Sequence, residues 1–192
     1  EQGYSAAQYD LGVLYATGRG VQQDNTEAFR WYKLVAEQGL SVAQHALGGL
    51  YAKGQGIKQN DSDAIHWYRL AADQGHSQAQ YDLGLMYIKG RADRANDQGA
   101  ARWLFQLAAD QGHAGAQYTL GMMYARGQGT SQDYVAALTW LSLAATQNAP
   151  TADRILYEKE RKELMEQMTA EQVITANRRV LEWLRSQQRQ PN

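Results

Sequence analysis

The 192-residue chain carries 19 Lys and Arg against 20 Asp and Glu, for a formal net charge of −1 and a pI of about 6.5. This balance argues against a nucleic-acid or anionic-membrane partner, because either would need a clustered positive surface. Cysteine is absent, which excludes disulfides and thiolate metal sites, and no apolar run approaches the roughly 18 residues of a membrane span.

The chain begins at Glu1 without Met, and no signal peptide is visible. Its first three residues, Glu-Gln-Gly, match residues 37–39, where a repeat ends. We therefore expect the sequence to begin inside a longer array, with any targeting segment upstream.

A pattern of leucine, glycine and tyrosine recurs four times along the chain. Leu-Gly pairs begin at positions 11, 47, 83 and 120, and a Tyr follows four residues after each Leu. Tryptophans at positions 31, 67, 103 and 140 recur at the same spacings of 36, 36 and 37. Such a period is the signature of stacked repeats. The sequence predicts repeats at 4–39, 40–75, 76–112 and 113–148.

The first helix of each repeat is predicted to begin with a capping box. Ser5, Ser41 and Ser77 are each followed three residues later by Gln, so that hydroxyl and amide would satisfy backbone N–H groups. Ala114 stands at this position in the fourth repeat, which is expected to lack the cap.

After the predicted cap, each repeat continues with an apolar stripe on the first helix, a glycine that ends that helix, and a second helix. In the second repeat, Gly54 is predicted to end the first helix with left-handed backbone. The stripe on that helix is Ala43, Leu47, Leu50 and Tyr51. A Gly-x-Gly loop leads to the predicted N-caps of the second helices, Asp24, Asn60 and Asp133. The stripe of the second helix in the first repeat is Ala28, Trp31, Tyr32, Val35 and Ala36.

One helix pair cannot bury both of these apolar faces, but stacked pairs can. The predicted fold is therefore all-α: a right-handed α/α superhelical solenoid of antiparallel helix pairs.

The pattern of the repeat is Ala-Gln-x-x-Leu-Gly-x-x-Tyr, then Gly-x-Gly-Val-x-x-Asp, then Ala-x-x-Trp-Tyr-x-x-Ala-Ala-x-Gln-Gly. Residues 43–75 match it almost whole, with Ile57 in place of Val and Asn60 in place of Asp. It resembles the Sel1-like repeat family, a 36-residue relative of the tetratricopeptide repeat, and covers residues 1–148 in four copies. The resemblance implies a bacterial scaffold that binds a protein or peptide, periplasmic or secreted, and without a small-molecule cofactor. A host protein such as immunoglobulin A is one partner that it implies.

Residues 149–186 depart from the repeat. Helices are predicted at 151–167 and 170–186, the second opened by a capping box of Thr169 and Gln172. This pair is interpreted as a terminal cap that shields the last apolar face, with a frayed tail at 187–192.

The first helices are expected to line the concave face of the solenoid. Repeats three and four would present an apolar cluster there, which is a candidate protein or peptide groove. Its members are Tyr81, Leu85, Ile88, Tyr118 and Met122. The alternative is that these side chains are ordinary packing residues of the repeat.

Repeat three is irregular, because its loop lacks the second glycine and one residue is inserted before Leu107. If the insertion lies in the loop, Trp103 is exposed and forms an interaction patch with Arg91 and Arg94. The alternative is drift of the sequence, or a π-bulge that keeps Trp103 inside.

Catalytic motifs are weak, and the prediction is that the chain is not an enzyme. His76 and His113 occupy equivalent positions but have no third ligand within reach, which favours structural roles over a zinc site. The sequence lacks the Ser-x-x-Lys and Lys-Thr-Gly motifs of penicillin-binding enzymes. Two alternatives stay open: a hydrolase or cell-wall-ligand protein, and a structural segment whose binding site lies upstream.

Overall fold

The computed structural model of the chain describes residues 2–91, 97–146 and 151–189, which form ten α-helices and no strand. The helices are α1 (Gln2–Thr17), α2 (Asn25–Glu37), α3 (Ser41–Lys53), α4 (Asp61–Asp73), α5 (Ser77–Ile88), α6 (Gln98–Asp110), α7 (Ala114–Arg126), α8 (Tyr134–Ala144), α9 (Thr151–Met165) and α10 (Ala170–Gln188). They belong to two compact units divided between residues 96 and 97, with α1 to α5 in the first and α6 to α10 in the second. The predicted all-α architecture is confirmed.

Side-chain caps begin the second helices of repeats one, two and four, as predicted. The carboxylate of Asp24 accepts hydrogen bonds from the backbone N–H groups of Thr26 and Glu27 at the start of α2. Asn60 caps α4 and Asp133 caps α8 in the same way. These oxygens satisfy N–H groups that have no partner inside the helix.

The first helices begin differently from the prediction. The N-cap of α3 is Leu40, which makes no side-chain hydrogen bond, and Ser41 is already the first helical residue. Histidine caps α5 and α7: the Nδ1 atom of His76 accepts from the N–H of Ala79, and that of His113 from Ala116. The predicted serine capping boxes are therefore wrong for α3 and α5, and the fourth repeat keeps a cap despite Ala114.

The glutamines assigned to those boxes are buried and act between helices instead. The Nε2 atom of Gln44 donates to the backbone oxygen of Ala36 at 3.2 Å, and that of Gln80 to Ala72 at 3.1 Å. In the second unit, Gln117 makes the same bond to Ala109 at 3.1 Å. Each bond satisfies a carbonyl in the last turn of the preceding helix, so the glutamine ties one repeat to the next.

Glycine after the repeated leucine allows the two helices of a repeat to approach closely. A Cβ atom built on Gly48 would lie 2.7 Å from the ring of Tyr68. In the fourth repeat a Cβ on Gly121 would lie 2.9 Å from Leu141, which takes the place of that tyrosine. Leu47 and Leu120 beside these glycines are fully buried.

The second glycine of the Gly-x-Gly loop touches the preceding repeat. A Cβ on Gly56 would overlap the carbonyl group of Asn25, the first residue of α2. In the second unit, a Cβ on Gly129 would lie 2.8 Å from the carbonyl oxygen of Gln98, the first residue of α6. This loop therefore packs its backbone against the start of the previous second helix, and the contact has no room for a side chain.

Beyond the repeats, α9 and α10 both pack against α8. Leu164 and Ala176 are buried with Leu138 and Leu141 in one cluster. The predicted capping box at Thr169 and Gln172 is confirmed. The helix α10 extends to Gln188, beyond the predicted end, and the amide of Gln187 donates to the backbone oxygen of Asp110.

Candidate functional site

The first unit holds three of the predicted contact residues on one helix. Tyr81, Leu85 and Ile88 lie on the side of α5 that the buried residues do not occupy, and we call them the α5 face. All three side chains are partly buried, so the face is less open than the sequence indicated.

A polar cluster that the sequence did not predict joins α3 to α5. The Nε2 atom of His45 lies 2.8 Å from the Oδ2 atom of Asp82, the residue after Tyr81. The amide of Gln78 also donates to Asp82 at 3.3 Å, and the ring of His76 stacks on that of His45 with 4.9 Å between centroids. The sequence does not reveal this cluster, because it depends on the distance at which α3 and α5 pack.

The structure assigns His76 and His113 the structural role that was favoured, as N-caps of α5 and α7. Burial lowers the pKa of His76, and the charge of nearby His45 lowers it further. In the described ranges no group of three or more His, Asp or Glu is arranged to hold a metal ion.

Tyr118 and Met122, in the second unit, contact the chain's own terminal helices. The ring of Tyr118 stacks on Tyr157 of α9, with 4.5 Å between centroids and 20° between planes. Met122 packs against the cluster that contains Leu164 and Ala176. The expectation of an open face at these two positions is corrected, because α9 covers that side of α7.

A cavity of about 250 Å³ remains where α7, α8 and α9 meet. Met122, Leu141 and Leu164 provide apolar wall, while Glu160 and Glu163 contribute carboxylates. Because the sequence alone gave no register for α9 against the repeats, this cavity was not predicted.

Arg91 makes an intramolecular ion pair. Its Nε atom donates to the Oδ2 atom of Asp61 at 2.7 Å, and its Nη2 atom donates to Oδ1 of Asp61 and to the backbone oxygen of Ala52. The hydrogen bonds from Arg91 lower the pKa of the Asp61 carboxyl. The Nε and Nη2 atoms of Arg91 are thus engaged within the first unit, which corrects the interpretation of Arg91 as an open contact residue. Arg94 lies outside the described residues.

Trp103 is exposed, at 59% of its surface, as the interpretation with a loop insertion predicts. Leu104 and Phe105 take the inward positions and are 5% and 0% exposed. The α-helix α6 is regular over 13 residues, so no π-bulge restores Trp103 to the core.

The helix caps locate the inserted residue. The caps of the first and second helices, His76 and Asp97, are separated by 21 positions in repeat three. In repeat four the separation, from His113 to Asp133, is 20 positions. The extra residue therefore precedes Asp97, and the insertion is confirmed to lie outside α6. Trp103 belongs to the second unit and Arg91 to the first.

Within the parts of the chain that the structure describes, no helix is both long and apolar enough to cross a membrane.

Comparison with known proteins identifies the repeat. The sequence profile of the Sel1 repeat matches residues 5–40, 41–76, 77–113 and 114–148. No curated protein matches the sequence.

Two solved structures are similar to the chain. One is a protective antigen of uropathogenic Escherichia coli with an SLR fold: 32% identity, TM-score 0.83, and coverage of 100% of this chain and 42% of that one. The other is a Sel1 repeat protein from Oxalobacter formigenes: 35% identity, TM-score 0.74, and coverage of 81% of this chain and 62% of that one. The chain thus spans less than half of the first protein and about three fifths of the second. Four matched repeats over most of the sequence and a shared fold at this identity show that the chain belongs to the Sel1 repeat family.

Proposed function

We propose that the chain is a non-enzymatic scaffold that binds a protein or peptide partner through the α5 face. Sel1 repeats form solenoids that generally mediate protein–protein interaction, and four of them make up residues 5–148. The observation that carries the proposal is the α5 face itself, where Tyr81, Leu85 and Ile88 keep part of their apolar surface accessible.

The surroundings of the α5 face have the character of a binding surface. Tyrosine is over-represented among residues that contribute most to binding, and apolar centres are commonly rimmed by polar groups. Here His45 and Asp82 form such a polar group next to Tyr81. A partner could therefore bury apolar surface on Leu85 and Ile88 while hydrogen-bonding at the rim.

Trp103 is the second proposed contact, on α6 of the other unit. A tryptophan with 59% of its surface exposed gains much from being covered by a partner. We treat it as an independent contact, and its contribution is tested separately from that of the α5 face.

The class of partner is proposed from resemblance alone. The Escherichia coli relative is described as a protective antigen, which is consistent with a protein that is accessible outside the cell. We propose a periplasmic or secreted location for this chain and a host protein, such as immunoglobulin A, as one partner to test.

The test is quantitative affinity capture with the immobilised chain, from host serum proteins including immunoglobulin A, using wild type and variants. The double variant Tyr81→Ala/Leu85→Ser removes the α5 face, and Trp103→Ala removes the second contact. Tyr4→Ala/Leu34→Ser is the matched control, since it makes the same changes at exposed positions elsewhere in the first unit. We expect capture to fall for the α5 variant and to persist in the control. Equal capture by both double variants would reject the α5 face.

A further inference from the structure

The cavity between α7, α8 and α9 lies where the last repeat meets α9, the first helix beyond the repeats. Within a repeat, glycine allows close helix contact, as where a Cβ on Gly121 would lie 2.9 Å from Leu141. Where α9 meets α7 and α8, the space between the helices stays open and is lined by Glu160 and Glu163.

The charge in this cavity is not balanced by the chain. Two carboxylates, Glu160 and Glu163, line it together with one guanidinium, that of Arg126. Glu160 is partly buried, and in the described part of the chain it makes no ion pair. Glu163 pairs only with Lys159, at 3.7 Å and with both side chains more than half exposed, so that pair contributes little. A cation placed between these two carboxylates would form charge-assisted hydrogen bonds with them, which are stronger than neutral ones.

The size and the walls of the cavity restrict the ligand further. At about 250 Å³ it is smaller than the roughly 300–1,000 Å³ typical of sites for drug-sized ligands. Met122, Leu141 and Leu164 supply apolar surface, which suits the methylene stem of a long side chain whose charged end reaches water or a carboxylate.

We propose that this cavity binds a lysine or arginine side chain of a protein partner, with the stem on Met122 and Leu164 and the cation at Glu160 and Glu163. The inference rests on the proposed role as a protein-binding scaffold, but it concerns a different unit from the α5 face. Its test uses a small probe and does not need the partner, so the two proposals can fail separately.

The probe is N-acetyl-arginine amide, observed through the ¹³C-methyl NMR signals of the five methionines. We expect a saturable shift of the Met122 methyl signal, with a dissociation constant on the order of millimolar for so small a ligand. The signal of Met86, buried in the first unit, should not move. N-acetyl-norleucine amide, which has an apolar side chain and no charge, should give no saturable shift.

Charge-neutral variants show whether the carboxylates of the cavity bind the arginine probe. Glu160→Gln with Glu163→Gln should weaken binding of the arginine probe by about tenfold or more. Glu158→Gln, exposed on α9 and outside the cavity, should leave it unchanged. Arg126→Gln should tighten binding, because it removes the competing positive charge.

Three results would each overturn the proposal. They are the absence of a saturable Met122 shift with the arginine probe, equal binding of the norleucine probe, and equal weakening by Glu158→Gln. In all three cases the capture experiment would still test the α5 face, because none of these residues belongs to that face.

Discussion

The ring of Tyr118 stacks on the ring of Tyr157 at a centroid distance of 4.5 Å, and this contact attaches α9 to the last repeat. Tyr157 is 6% exposed and shares a small cluster with Ala144. The side of α7 that corresponds to the α5 face is therefore covered from within the chain. Partner binding on the first helices is expected at α5, where no described helix of the first unit takes the place of α9.

Replacing Tyr157 with alanine should release α9 from the repeats. Loss of a buried aromatic side chain costs about 3 kcal/mol or more, and the stacked pair adds about 1 kcal/mol. We expect a lower urea midpoint and faster proteolysis within α9. Leu156→Ala, at the neighbouring exposed position, is the control and should change stability by less than about 0.5 kcal/mol. Similar effects of the two substitutions would contradict the assigned packing of α9.

Alanine substitutions at Gly56 and Gly20 distinguish the cost of backbone strain from the cost of losing a contact between repeats. Both have positive φ, 72° and 77°, but a Cβ on Gly56 would overlap the carbonyl of Asn25, while nothing lies within 4 Å of one on Gly20. Gly20→Ala should cost about 1 kcal/mol, the penalty for left-handed backbone. Gly56→Ala should cost at least about 2 kcal/mol more, because the loop must move away from α2. Urea unfolding of both variants measures the difference, and equal costs would mean that the loop does not pack on α2.

The Arg91–Asp61 ion pair joins the loop of repeat three to the first residue of α4, the kind of contact that the second glycine makes in the loops with Gly56 and Gly129. Its two side chains are about one third exposed, so a double-mutant cycle with alanine should give a coupling of about 1 kcal/mol that declines with added salt. Because Arg91 lowers the pKa of Asp61, this contribution is present above the ordinary Asp pKa of about 3.9. It is lost as pH falls through the lower value of the folded state. Zero coupling at low salt would rule the pair out as a link between repeats.

The histidine cap of α5 should make stability depend on pH. Nδ1 of His76 must be unprotonated to accept from Ala79, and burial, followed by the charge of His45, lowers the His76 pKa. A histidine whose pKa is lowered on folding contributes stability that is present above about pH 6.5 and declines as pH falls below it. Asp82, paired with His45, opposes this effect in part.

The matched variant for this cap is His76→Asn, which keeps a capping side chain but cannot titrate in this range. Wild type should lose more thermal stability than the variant between pH 7.5 and pH 5, values chosen on either side of the ordinary histidine pKa of about 6.5. His113 is present in both proteins, so it cancels in the comparison. Parallel pH profiles would show that the cap at His76 does not titrate with folding.

Repeat period and apolar spacing were sufficient to predict the helices, because these features are local. Gly54 and Asp24 take their predicted roles at helix ends for the same reason. The first-helix caps were wrong because Ser41 lies one residue inside α3, and a serine followed three residues later by glutamine does not reveal that shift. The side chain of Gln44 is buried against the preceding helix and hydrogen-bonds there, so it does not cap its own helix.

The candidate site was predicted less completely, since it depends on contacts between distant segments. The exposure of Trp103 was one of the interpretations that the inserted residue allowed, because counting residues does not show whether a loop or a π-bulge accommodates the insertion. The pairing of Arg91 with Asp61 and of Tyr118 with Tyr157 required the packing of neighbouring helices. For the Arg91–Asp61 pair, the irregular loop of repeat three was a signal in the sequence that this position differs. For the Tyr118–Tyr157 contact, the sequence of α9 contains no such signal, because α9 does not follow the repeat.

Partner capture by Tyr81→Ala/Leu85→Ser, relative to the control Tyr4→Ala/Leu34→Ser, decides whether the α5 face binds the partner. Both variants should keep wild-type helix content, because all four positions are at least partly exposed. We expect the first variant to lose at least about tenfold in affinity for the captured protein and the control to stay within about twofold of wild type. Undiminished affinity in the α5 variant would contradict the claim that this chain binds its partner through the α5 face.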